Sequence, residues 1–140
     1  MSDNATKKGE EMAQTLRFSA TFGVVAGYGH SNENLTPAAA QSIVAEAWQK
    51  AAAVVFADRG IYVSSVVVPS KTVYHTDWGC PVGGEVTAAV SGEANPEFTP
   101  DMAAWKEAVV AVAKLVKAEL QQSTVSLTFS QVDDFVYLAD

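Results

Sequence analysis

The chain has 140 residues, 49% of them hydrophobic and 18% charged, with a formal net charge of -7 and a pI near 4.7. That length supports one domain with a real core rather than two. Nine scattered Lys and Arg against sixteen Asp and Glu argue against a nucleic-acid partner, since phosphate binding needs clustered cations. No apolar run approaches the roughly 20 residues of a membrane span, and Met1 to Gln14 carry no hydrophobic signal core. The composition therefore predicts a cytoplasmic protein with no membrane partner. The lone Cys80 forms no intrachain disulfide and fits a reducing compartment.

Residues 1–13 are polar and without apolar periodicity, and read as a flexible tail ahead of a single α+β domain over 14–140. Within that tail, Lys8-Gly9-Glu10-Glu11-Met12 can be encoded by a purine-rich run ending in a start codon. This resembles a bacterial ribosome-binding site, and predicts translation from Met12 and a bacterial or phage source.

Alternation of Leu16, Phe18, Ala20, Phe22 and Val24 with Arg17, Ser19, Thr21 and Gly23 predicts a first strand with one covered face. A loop rich in turn formers follows over Gly27 to Asn34. Leu35-Thr36-Pro37 then opens an alanine-rich helix to about Ala57, with Thr36 as cap, Pro37 at the first helical position and Gly60 as stop. Ile61 to Val68 is β-branched and reads as a second strand, placed at a sheet edge by Pro69.

Val86, Ala88 and Val90 alternate with Thr87, Ala89 and Ser91 as a third strand. Phe98-Thr99-Pro100 repeats the helix-opening pattern, and the second helix runs to about Gln121 with Trp105, Val109, Val112 and Val116 on its inner face. The first helical pattern carries Trp48 and the second Trp105. Val125, Leu127 and Phe129 alternate with hydroxyl residues as a fourth strand, and Phe135 to Leu138 suffices for a short fifth.

Strand-helix-strand written twice predicts a ferredoxin-like sandwich, with a four-stranded antiparallel sheet carrying two helices on one face. That architecture is similar to the core of small trimeric regulatory and ion-tolerance proteins. The other face would present Arg17, Ser19, Thr21, Thr87, Ala89, Ser91, Ser126 and Thr128, with Tyr62, Val66 and Val68 on the edge strand. Hydroxyls and methyls dominate there where a solvated face carries more Lys and Glu, so a homo-oligomer or a ligand covering that face is expected.

The same topology brings the 27–34 loop and the 71–84 loop to one end of the sheet, and loops on a rigid sheet commonly carry function. The candidate ligand-binding residues there are Tyr28, His30, Tyr74, His75, Asp77, Trp78, Cys80 and Glu85. His30, His75, Asp77 and Cys80 have the atom types of zinc ligands, but their spacing matches no zinc signature, so neither metal nor cofactor is expected. Phosphate-loop, dinucleotide and nucleophile-elbow motifs are absent from the sequence. The leading expectation is a non-enzymatic oligomeric module that binds a small molecule or a protein partner through these loops or the open sheet face. The alternative is a small enzyme with His75 or His30 as general base and Asp77 or Glu85 as its companion.

Overall fold

A computed structural model of the chain describes residues 12–26 and 35–140. Its elements follow the order β1 (Ala13–Gly23), α1 (Pro37–Arg59), β2 (Val66–Thr72), β3 (Glu85–Glu93), α2 (Met102–Glu119) and β4 (Leu127–Phe135), with a single 3-10 turn, Thr76–Trp78, between β2 and β3. The strands form one antiparallel sheet in the order β2-β3-β1-β4. This is the duplicated strand-helix-strand arrangement of the ferredoxin-like fold, with β2, the proline-bearing strand, at an edge. The expected 1–13 tail lies almost wholly outside the described residues, and Ala13 already pairs with Phe135.

The helices cover one face because alternate residues of β1 and β3 are apolar. Phe18, Ala20 and Phe22 of β1 and Ala88 and Val90 of β3 are buried in one cluster with Val44, Ala47, Trp48, Trp105, Val109, Val112 and Val116. Phe18 sits between the two helical tryptophans, stacked on Trp48 at 5.3 Å and 6° and tilted against Trp105 at 6.0 Å. The indole N–H of Trp48 donates to the Val63 carbonyl at 3.1 Å, so the ring is buried without an orphaned donor.

The two helix starts differ. Thr36 caps α1, its hydroxyl accepting the Ala39 N–H at 3.0 Å, with Pro37 following as expected. In α2 the cap is Asp101, whose carboxylate accepts the Ala104 N–H at 3.1 Å; Thr99 is buried and Pro100 precedes the helix. The second Thr-Pro pair is thus not the cap, because an acidic side chain two residues later reaches the free amide. Gly60 closes α1 at φ 71°, where a side chain would be strained.

The second strand begins five residues later than its β-branched run. Tyr62 stacks on Phe56 of α1 at 4.4 Å rather than joining the open sheet face, and Val63 is buried beside Trp48, so residues 61–65 fold over the helix before pairing begins. The separate fifth strand is also corrected. Phe135 is the last residue of a long β4, which follows β1 through an irregularity between Ala13 and Thr15, and residues 136–140 are not in a strand.

Phe18→Ala removes the ring shared by both helices and should destabilise the fold by about 3–5 kcal/mol. Asp101→Ala should cost about 1 kcal/mol through loss of the α2 cap. Urea denaturation of both variants checks the pair of values, and near-equal losses would contradict this packing.

Candidate functional site

The C-terminal ends of β1 and β2 meet the starts of β3 and β4 at one end of the sheet, with Gly23 opposite Thr87, Thr72 opposite Glu85 and Ala20 opposite Leu127. From this end a broad concavity of about 1110 Å³ extends over the face that the helices leave open. Its floor is the hydroxyl and methyl surface of Ser19, Thr21, Thr87, Ala89, Ser126 and Thr128. Tyr74 and Trp78 of the hairpin and Gln122 beyond α2 rise around it.

Thr87 is only 3% exposed although it belongs to the open face. Its hydroxyl lies 2.8 Å from that of Ser70 and 3.0 Å from that of Thr72, a row of hydroxyls crossing the β2–β3 pair. Ser19 and Thr128 make a similar pair at 2.9 Å across β1 and β4. These contacts satisfy side chains locally and leave the floor neutral.

Among the described residues, two charged side chains line the concavity, those of Glu85 and Arg17. Arg17 is ion-paired with Glu93, the residue directly opposite it in the β1–β3 register, toward the far end of the sheet. Glu85 opens β3 and accepts a hydrogen bond from the Tyr74 hydroxyl at 3.0 Å through Oε1. Because β2 and β3 form a hairpin, Tyr74 just past the end of β2 reaches back over the first residue of β3.

The sequence-selected residues divide into three groups. Tyr74, Trp78 and Glu85 line the concavity together. His75 and Asp77 lie outside its lining and are exposed. His75 caps the 3-10 turn, its Nδ1 accepting the Asp77 backbone N–H at 3.0 Å with the Asp77 carboxylate 3.6 Å away. Cys80 also lies outside the lining; it is buried in the hairpin, where Sγ accepts the Tyr74 N–H at 3.4 Å and donates to the Pro81 carbonyl at 3.3 Å. Tyr28 and His30 lie outside the described residues.

Gly23 and Gln122 also line the site and carry no motif that singles them out in sequence. Among the described residues, no group of three His, Cys, Asp or Glu stands close enough to hold a metal ion, and no helix is long and apolar enough to cross a membrane.

Compared with protein families, residues 13–139 match the family described as SAM lyase. The chain belongs to the SAM lyase family. No curated protein and no solved structure matches it. The SAM lyase match spans all six elements of the fold, including both β2–β3 hairpin aromatics and Glu85. A lyase family does not fit the leading expectation of a non-enzymatic module; it fits the enzyme alternative.

Trp78 is 72% exposed, whereas Phe18 is fully buried. Trp78→Ala should therefore change stability by less than about 0.5 kcal/mol, as exposed sites do. Thermal unfolding beside Phe18→Ala measures the contrast; a comparable loss in the two variants would make Trp78 part of the core.

Proposed function

We propose that this chain is an enzyme that cleaves S-adenosylmethionine (SAM) by a lyase reaction in the concavity on the open sheet face. The observation that carries the reading is the Glu85 carboxylate, held by Tyr74 at one end of a neutral floor. SAM is a sulfonium cation, and a carboxylate over a hydroxyl and methyl surface attracts such a charge, while Arg17, the cation of the described lining, is ion-paired with Glu93. The faces of Tyr74 and Trp78 add cation–π attraction for a positive sulfur.

A lyase breaks the carbon–sulfur bond without water or a redox partner. Two routes satisfy that chemistry. Elimination needs a base able to take a weakly acidic β-hydrogen, and the described lining holds no His, Lys or Cys. Internal displacement needs none: the carboxylate of the methionyl group forms a bond to its own γ-carbon as the γ-carbon–sulfur bond breaks, and the electron pair leaves with sulfur. Charge is neutralised within the substrate, no proton moves, and the products are methylthioadenosine and a four-carbon lactone. The protein's part is to fold the substrate so that the carboxylate stands behind the γ-carbon, a positioning effect that is large when the reacting atoms are well aligned. Glu85 holds the cationic end while the remainder lies along the sheet.

Incubating the purified protein with SAM in ¹⁸O-labelled water should yield methylthioadenosine and a lactone whose first-formed molecules carry no label. In deuterated water, no deuterium should become bound to carbon in the four-carbon product. Glu85→Gln should lower kcat/KM by about 10²-fold, the scale of a lost electrostatic contact in an active site. Label in the first-formed lactone would indicate hydrolysis, and absence of any SAM breakdown would overturn the proposal.

The same reading includes a homo-oligomer in which a second copy closes over this face with the substrate between them, supported by a sheet face with many hydroxyls and few charges. Thr87 cannot serve as its probe, since it is buried by Ser70 and Thr72 within one chain. Thr128 is exposed and can. Thr128→Lys should dissociate the assembly, because an unpaired charge buried in an interface costs several kcal/mol. Light scattering on both proteins decides; a monomer at micromolar concentration without the substitution would exclude the oligomer.

A further inference from the structure

Gly23 ends β1 on the open face, opposite Thr87. Its backbone lies outside the left-handed region, so conformation does not require glycine there. Space does. A Cβ at this position would stand 2.5 Å from Oε2 of Glu85 and 2.7 Å from Oε1 of Gln122, closer than side-chain carbons approach oxygen.

The second neighbour is itself firmly placed. Nε2 of Gln122 donates to the carbonyls of Val25 and Leu120, at 3.0 Å each. Both amide hydrogens are thereby engaged, which settles which end of the amide is oxygen and turns that oxygen toward Gly23. The preceding Gln121 takes a left-handed turn, φ 53°, as the chain leaves α2. One carboxylate oxygen of Glu85 thus meets the Tyr74 hydroxyl while the other lies over bare backbone, near an amide tied to the segments that follow β1 and α2.

We infer that Gly23 and Gln122 are positioning residues for Glu85: Gly23 leaves the seat into which the carboxylate is drawn, and Gln122 forms its wall on the α2 side. The kinetic consequence rests on the lyase reading above; the geometry does not. With a methyl group at position 23 the flexible Glu85 side chain must swing away, releasing Tyr74 and moving its charge relative to the sulfonium. A misplacement of about 1 Å near the reacting atoms can cost 10²-fold in rate.

The test compares Gly23→Ala, Glu85→Asp and the double variant, using the full chain and SAM. Gly23→Ala should lower kcat/KM by at least about tenfold while the unfolding temperature stays near that of the parent. Aspartate is one methylene shorter and does not reach the added methyl, so in the Glu85→Asp background the same substitution should cost less than about threefold. A merely structural effect would be equal in both backgrounds, and equal losses overturn the inference.

The carboxyl carbon resonance of Glu85 provides a readout independent of activity. It should move in Gly23→Ala and in Gln122→Leu, which adds no atom at the glycine and serves if Gly23→Ala fails to fold. An unmoved resonance in both folded variants, or in Gln122→Leu when it alone folds, rejects the seat even where SAM is cleaved. A moved resonance in a protein inert toward SAM upholds the seat and rejects the lyase reading instead.

Discussion

Phe18 lies between Trp48 of α1 and Trp105 of α2, and the fold is organised around that three-ring contact. Each helix brings one large indole to the same ring of the central strand. Phe22 meets Trp48 edge-on at 6.2 Å, and Phe129 meets Trp105 likewise. Aromatic pairs in these geometries add stabilisation beyond their buried area. With both helices anchored to β1, the opposite face of the sheet is released from any part in the core. That release is what allows its residues to be small, hydroxylated and concave.

The open face has its own internal order. Ser70, Thr72 and Thr87 form one row of hydroxyls, Ser19 and Thr128 another, so polar side chains that would otherwise demand water are partly satisfied by one another. Against that neutral floor the charge of Glu85 is conspicuous. Arg17 does not offset it, because its partner is Glu93. The proposed cleavage of SAM would draw on this contrast, since a cationic substrate requires a localised negative charge.

Period-two alternation exposed β1 and β3 in the sequence, and the duplicated Leu-Thr-Pro and Phe-Thr-Pro openings located both helices. The failures share a cause, which is competition between local signals and contacts distant in sequence. Thr99 resembled Thr36, yet Asp101 captures the free amide. Ile61 to Ser65 has strand propensity, yet Trp48 and Phe56 draw this segment onto α1. In the sequence Tyr74, Trp78 and Glu85 are unusual loop chemistry, and His75, Asp77 and Cys80 equally so, yet only the first three line the concavity. Direction separates them, since the turn at Thr76–Trp78 sends His75 and Asp77 outward and Cys80 inward. Gly23 and Gln122 stand 99 positions apart and meet only in three dimensions, so no spacing rule could pair them.

The pairing of Ala13 with Phe135 has a consequence for how the protein forms. β1 emerges from the ribosome first and occupies an interior place in the sheet, but its partners on both sides are encoded later, β4 last of all. Until then its edges and the Phe18 ring have nothing durable to hold. Loop closure across nearly the whole polypeptide slows folding relative to a helical protein of this size. A nascent chain stalled before β4 would display an unpaired, phenylalanine-bearing strand of the kind that recruits neighbours into aggregates. The protein therefore commits to its structure only when β4 is free to pair with β1.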